Sequence, residues 1–487
     1  MFITTASDHT ALFNPFLAEL GVPGDRPVHW RRDHVLWFGS GGAAYRVPLT
    51  YSDIAAWCRR REPSTLWRAW TEHRVGERYL VEHTSVNPVH PLHVGSLRGT
   101  LIGNSLAGLL RSAGADVEVR YFVNDLGRQA VIFGRVAGNV RWGCVPASVR
   151  LDHAVGVVYA AANMMLAKRS HDLQRLHRRH RWLLEVLDTT SDIPESGQPH
   201  RFLEPMLSLA ADDMATVGAT IDHFDFESDI DDDLHAVGTE LAHTVDTVCV
   251  NGTSCLRARS GLVPLLRSDR SPLYFLRDVA NTRMRATGRR ILHVIGDDQV
   301  LLQSALAAAH PTWAIEHVSY GVVTHAGKRF SARQNRLTTV HELADAGPSR
   351  LWDTALMLLT RRRTRKIDLA GPDRRLARLV AAAHAQLTAS PRPSPVGGAV
   401  DTAGLLDLAT AILRTPAVMD HAIRRRAPHV SSMHLVEMSA RYVCAARTGE
   451  IPSWLGDWFA HTHGLLARAH GLDLDSLARA HTQEQAA

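Results

Sequence analysis

Lysine is almost missing from this chain. Lys168, Lys328 and Lys366 are its only lysines, although lysine and arginine together number 55. Genomic composition accounts for most of such a bias, yet it means that phosphate chemistry here must lean on arginine. Cysteine is also scarce: Cys58, Cys144, Cys249, Cys255 and Cys444 are scattered, odd in number and form no CxxC pair. A zinc site and a disulfide framework are therefore not expected, and no metal ligand set is read from the sequence. Apolar runs of membrane-spanning length, free of charges and glycine clusters, are absent. A cationic leader followed by an apolar stretch and a small-residue cleavage site is absent as well. The expectation is a soluble, cytoplasmic protein, monomeric and without a membrane partner.

What is present fits an ordinary globular chain: 45% hydrophobic and 21% charged residues, with a formal net charge of +6 that weakly suits a polyanionic partner. At 487 residues roughly two to four domains are expected. Residues 1–79 read as a small N-terminal α/β appendage. Within it "HVLWFGSGGAAYRVPL" (34–49) predicts two short strands around a Gly-rich turn, and "YSDIAAWCRRREPSTLWRAWTEH" (51–73) a helix capped by Ser52 and broken at Pro63. "RYLVEHTSV" is the first strongly strand-like run. It leads into "LRGTLIGNSLAGLLRSAG", apolar at helical spacing and ending at Gly114, and then into a second strand, "DVEVRYFVND".

Strand, crossover helix and strand make a βαβ unit, so residues 80–345 predict an α/β fold with a Rossmann-type parallel sheet. A helical insertion is expected over about 146–212. The strand pattern returns in "SPLYFLRDVA" (271–280) and "RRILHVIGDD" (289–298). Residues 346–487 predict an all-α region, interrupted by a Pro- and Gly-rich loop, "TASPRPSPVGGAVD" (388–401).

The phrase "EHTSVNPVHPLHVGSLRG" (82–99) carries the first chemical signal. A strand that ends before a helix exposes backbone N–H groups with partial positive charge, and Gly95 would let an anion or a flat base approach them. His93 could donate to a phosphate oxygen. Glu82 and Asn87 lie on the same strand-to-turn segment, at the sheet edge where ligands usually sit. "HVG" alone is equally compatible with a core histidine beside a tight turn.

The longer text resembles the class I aminoacyl-tRNA synthetases, and within them arginyl-tRNA synthetase. That family reads S-x-N-P-x-x-P-L-H-x-G-H here; Ser85, Asn87, Pro88, Pro91, Leu92, His93 and Gly95 fall in place. "VRYFVNDLGRQ" (119–129), "YFLRDVA" (274–280), "HVIGDDQ" (293–299) and "GKRFSARQN" (327–335) follow in the family's order, and "LLDLATAILRTPAVMDHAIRRRAPHV" is similar to the start of its helical anticodon-binding domain.

The resemblance implies ATP, with Mg2+, and L-arginine as ligands. For the guanidinium it implies Glu82 with Tyr274 and Asp278, since a fork of donors is best met by planar carboxylates and a phenol oxygen. Ser85, Asn87 and Gln299, or its neighbour Asp298, complete that pocket. For ATP it implies His93, Gly95, Ser96, Gly296 and Asp297, with Arg329, Ser331 and Arg333 from the second signature loop. Two departures stand out. Ser96 replaces the family's second histidine, and "RFSAR" keeps two cations, both as arginine, with Lys328 just before them.

The acceptor is the open question. Some 80 residues precede the first catalytic strand, and the text expected between Glu342 and Gly397 is replaced by "RRRTRKIDLAGPDRRLARL" and the Pro-rich loop. A divergent, shortened paralogue is expected. It would charge tRNA, transfer activated arginine to a small amine or peptide in a biosynthetic pathway, or act as a non-catalytic arginine- or tRNA-binding regulator.

Overall fold

Five strands meet in one sheet that is parallel throughout: β1 (Arg78–Glu82), β2 (Asp116–Val123), β3 (His223–Phe226), β4 (Arg290–Gly296) and β5 (Ile315–Tyr320), in the order β5-β4-β1-β2-β3. The computed structural model describes residues 9–10, 14–24, 27–39, 41–189, 192–193, 202–230, 234–244, 246–258, 261–269, 272–286, 288–309, 313–369, 373–389 and 402–486. β1 is buried from Tyr79 to Glu82, as a central strand covered on both faces must be. In β2 burial alternates, with Val117, Val119, Tyr121 and Val123 inside.

Helix α1 (Val94–Ser112) links β1 to β2 and is apolar almost all round, so it is buried along nearly its whole length. Gly99 and Gly103 let it pass close to the sheet. A Cβ at Gly99 would lie 2.7 Å from the Tyr320 ring, and one at Gly103 would lie 2.5 Å from His83. The helical insertion follows, with α2 (Leu151–Leu166), α3 (Ser170–Arg179) and two further helices, Leu183–Val186 and Leu203–Ala215. It has its own apolar core around Tyr159 and Phe133.

A sheet of antiparallel strands (Thr247–Val250, Thr253–Ala258, Gly261–Leu266) precedes β4 and was not legible in the sequence. The "SPLYFLRDVA" stretch corrects the expected strand. It begins helix α4 (Tyr274–Arg285). Short apolar runs are ambiguous between the two states; here Phe275, Leu276, Val279 and Ala280 recur at helical spacing and pack on one side, against a small core with Leu256 and Leu265. A second correction concerns the N-terminal helix Tyr51–Arg59. Thr50, not Ser52, caps it, because only Thr50 has the extended backbone that lets a hydroxyl accept from the Asp53 N–H.

The N-terminal strands Pro27–Trp30, His34–Phe38 and Ala44–Pro48 form an antiparallel sheet, with the predicted turn between the last two. C-terminal to the parallel sheet stands a helical bundle of Pro348–Thr360, Arg374–Thr388, Thr402–Arg424, Pro428–Thr448, Ser453–Ala469 and Leu474–Ala486. The expected Pro-rich loop falls largely on residues 390–401, outside the described residues. One apolar core runs from Phe16 through α1 to Ala480. Asn14 Nδ2 donates to the Leu413 carbonyl at 2.7 Å, and the rings of Trp57 and Trp458 lie 5.4 Å apart.

Candidate active site at the carboxyl edge of the parallel sheet

His93 is the N-cap of α1. Its Nδ1 accepts from the Gly95 N–H at 3.0 Å and the Ser96 N–H at 3.4 Å, which leaves the ring proton on Nε2. Burial, with His90 beside it, pushes the imidazole down to about 3. The ring is therefore neutral at working pH and donates from Nε2. This corrects the expectation of open N–H groups at the helix start, since two of them are spent on His93. Gly95 is needed for the same reason: a Cβ there would lie 2.8 Å from the His93 ring and 3.4 Å from Phe330. Ser96 is buried and its hydroxyl donates to the His93 carbonyl at 2.9 Å, so that donor is turned back into the helix.

The second signature loop returns to His93. Val94 N–H donates to the Thr338 carbonyl at 2.9 Å, and the Phe330 ring lies 5.9 Å from that of His93. A hairpin of Val323–His325 and Lys328–Arg329 precedes Phe330. Arg329 is exposed, with Nη1 3.7 Å from Asp298 Oδ2. Its carbonyl accepts a fork from Arg336, Nε at 3.1 Å and Nη2 at 2.8 Å. Gly296 ends β4, and the exposed Asp297 follows, its N–H donating to the Tyr320 carbonyl at 3.0 Å. Ser331 is half-buried and bonds Arg336 through backbone groups. Arg333 is exposed and lines a cavity of about 260 Å³ with Arg128 and with Met164 and Arg169 of the insertion.

The carboxylates form the other half of the site. Parallel register puts Arg120, Glu82, His293 and His317 in one row across β2, β1, β4 and β5. Glu82 is not an open carboxylate: Arg285 at the end of α4 reaches its Oε2 at 2.8 Å, and His293 lies 3.6 Å from Oε1. Burial alone would raise the Glu82 carboxyl, but Arg285, His293 and Ser85 together outweigh it and the group is held down to about 2. Ser85 Oγ donates to Glu82 Oε1 at 3.2 Å and accepts from the Phe122 N–H at 3.0 Å. Thr84 and Ser85 both take left-handed backbone, φ 72° and 40°, the kind of local strain that gathers at ligand sites. Asn87 is half-buried on the same connection.

Among the described residues Asp278 has no ion pair of the kind that Glu82 has. Burial pushes its carboxyl up to about 7; the Gln303 amide, which donates to Oδ2 at 2.9 Å, works in the opposite direction, and Glu82 and Glu227 add to the rise. Gln299, by contrast, is exposed. The Tyr274 side chain lies outside the described residues. Sequence reasoning missed Arg285, Gln303 and Glu227, whose Oε1 lies 3.5 Å from Arg277 Nε. Once 274–285 is read as a helix, Asp278, Thr282 and Arg285 fall on one face, which was the available signal.

Known proteins share this fold. The arginyl-tRNA synthetase of Thermus thermophilus superposes with a TM-score of 0.69 at 18% identity, covering 96% of this chain and 98% of that one. The fold is that of a class I tRNA synthetase. The arginyl-tRNA synthetase of Plasmodium falciparum gives a TM-score of 0.62 at 12% identity, over 90% of this chain and 85% of that one. Residues 68–179 match the family described as tRNA synthetases class I (R), catalytic domain. The arginine–tRNA ligase of Saccharolobus solfataricus is 27% identical over 341 residues, 55% of this chain and 55% of that protein. That of Aeropyrum pernix is 30% identical over 351 residues, 56% of this chain and 54% of that protein. The chain thus spans about half the length of the curated relatives it matches in sequence. Among the described residues no helix is long and apolar enough to cross a membrane.

Proposed function

We propose that this chain is an ATP-dependent ligase that activates L-arginine as an adenylate and transfers it to an acceptor. Asp278 carries the reading. A half-buried carboxylate with an amide partner and, among the described residues, no ion pair calls for a cationic ligand, and Glu82 at the carboxyl end of β1 is close enough to raise it further. Asp278 and Tyr274 meet the guanidinium. Glu82, already neutralised by Arg285, builds the pocket wall with Ser85 and Asn87, and Gln299 stands at its mouth.

His93 Nε2–H, the side-chain-free faces of Gly95 and Gly296, and the cations Lys328 and Arg329 seat the nucleotide, with Asp297 beside them. Ser96 and Ser331 brace these groups, and Arg333 serves after the loop leaves the insertion. A carboxylate oxygen of arginine attacks the α-phosphorus, the bond to the bridging oxygen breaks, and pyrophosphate leaves with that electron pair. The acceptor then attacks the carbonyl carbon, the acyl–phosphate bond breaks, AMP leaves, and the acceptor's proton passes to phosphate or water. Among the described residues no three His, Cys, Asp or Glu side chains gather as a metal site.

In this reading residues 80–345 activate arginine, with the insertion at about 146–212. Residues 1–79 are an appendage, and the helical residues 346–487 meet a tRNA acceptor. The text that replaces the family's between Glu342 and Gly397 favours a second acceptor class, a small amine or peptide. Exchange of labelled pyrophosphate into ATP, with arginine, citrulline or lysine and with or without tRNA, tests both. Exchange with arginine alone supports the small-acceptor reading, and exchange that needs tRNA supports charging. None under either condition overturns the ligase in favour of a non-catalytic binder.

A further inference from the structure

The hairpin that carries Lys328 and Arg329 turns through Ala326 and Gly327, both left-handed at φ 48° and 72°. A two-residue turn of this kind needs positive φ at both positions, which glycine accepts freely and alanine does not. Consecutive left-handed residues also point two N–H groups into one small concavity suited to an anion. Here the chain supplies the anion. Asp368 Oδ1 accepts from the Ala326 N–H at 2.9 Å, and Oδ2 accepts from the Gly327 N–H at 2.6 Å.

Asp368 belongs to a segment bound to the rest of the site on both sides. Val323 and Thr324 of the hairpin pair in parallel with Ile367 and Asp368. The Gly321 N–H donates to the Arg363 carbonyl at 2.7 Å, and the Leu369 N–H donates to that of Thr324 at 2.9 Å. The same segment is fastened to α1. Arg98, fully buried, donates to the carbonyls of Gly321, Arg365 and Arg362 at 2.6, 2.5 and 2.8 Å. A continuous run of bonds therefore leads from the helix that His93 caps, through residues 362–368, to the turn before Lys328 and Arg329.

We propose that Asp368 is the positioning residue of the cationic hairpin, its carboxylate holding the left-handed turn closed and so fixing Lys328 and Arg329 next to Phe330, whose ring lies 5.9 Å from that of His93. The inference rests on the ligase reading for its catalytic consequence, though not for the conformation it describes. Asp368 touches no reacting atom. It acts through the backbone of Ala326 and Gly327, and a hairpin displaced by about an ångström is enough to cost up to roughly a hundredfold in a step that depends on placed charge.

The test uses the full chain with Asp368→Asn, which keeps one acceptor oxygen, and Asp368→Ala, which keeps none. Trypsin cleavage after Lys328 and Arg329 reports the hairpin whatever the protein does. Pyrophosphate exchange, arginine affinity and the thermal midpoint report the rest. Expected are faster cleavage and a lower kcat for exchange, graded from parent through Asn to Ala, with arginine affinity and the thermal midpoint close to the parent's. Unchanged cleavage in the Ala variant overturns the proposal, as does faster cleavage with unchanged exchange. A parent without exchange removes the ligase reading instead, and the cleavage series then decides alone whether Asp368 holds the turn.

Discussion

Glu82 Oε2 and Arg285 Nη1 lie 2.8 Å apart, and each of these side chains is about 6% exposed. The pair joins β1 to the end of α4 beneath the candidate pocket. Arg285→Met should therefore destabilise the protein by about 3–5 kcal/mol, because it leaves Glu82 buried without its guanidinium, while Glu82→Gln should cost less, since Arg285 keeps Asp225 Oδ2 at 3.4 Å, and the double variant should recover much of the larger loss. Urea unfolding measures it. A loss below about 1 kcal/mol in Arg285→Met would mean the pair is solvated. Since the Glu82 carboxyl sits at about 2 in the fold against an ordinary 4.5, the stabilisation is complete above the ordinary value and is lost as pH falls toward 2.

Asp278 gives the opposite sign. Its carboxyl, raised by burial to about 7 from an ordinary 3.8, makes the ligand-free fold less stable as pH rises between those values. Asp278→Asn should raise the thermal midpoint of the ligand-free protein at pH 8. A guanidinium needs the ionised form, so arginine affinity should climb about tenfold per pH unit below the raised value and flatten above it. Calorimetry in two buffers should show a proton released on binding at pH 6. Affinity independent of pH, or citrulline binding as well as arginine does, would contradict a charged pocket.

His93 has two jobs that can be separated. His93→Ala removes the cap and should cost about 0.5–2 kcal/mol. His93→Asn keeps an acceptor for the Gly95 N–H and loses the Nε2 donor, so stability should stay near the parent while pyrophosphate exchange falls. An Asn variant as active as the parent would leave His93 a cap and nothing more.

Ser96→His would restore the residue that the resemblance leads one to expect. The site is buried and its hydroxyl is already bonded to the His93 carbonyl. Inserting an imidazole should cost about 1–3 kcal/mol and slow single-turnover adenylate formation. A rate gain of tenfold, about 1.4 kcal/mol in the barrier, would show that the serine is simple decay rather than part of a rebuilt site.

The parallel sheet, its crossover helix and the bundle were legible because their apolar periods are long or bounded by clear turns. His93 at a helix start and the return of the second loop to it followed from motif order. Asp278 was expected on a strand and lies on a helix, because a short apolar run does not declare its period. Arg285 and Gln303 were missed because their roles depend on which strand lies beside β1, and β4 arrives about two hundred residues later. The inward hydroxyl of Ser96 and the outward turn of Arg333 depend on rotamers, which sequence spacing leaves undetermined.

The contact of Trp57 with Trp458 has a consequence for synthesis on the ribosome. Some four hundred residues separate the two rings, so at about 5–20 residues per second the earlier tryptophan waits roughly twenty to eighty seconds for its partner. During that interval Phe16, Ile54, Trp67 and Trp70 have no completed core to enter. The earlier of these two segments thus depends on the later one, and it is the stretch that a chaperone would have to shield.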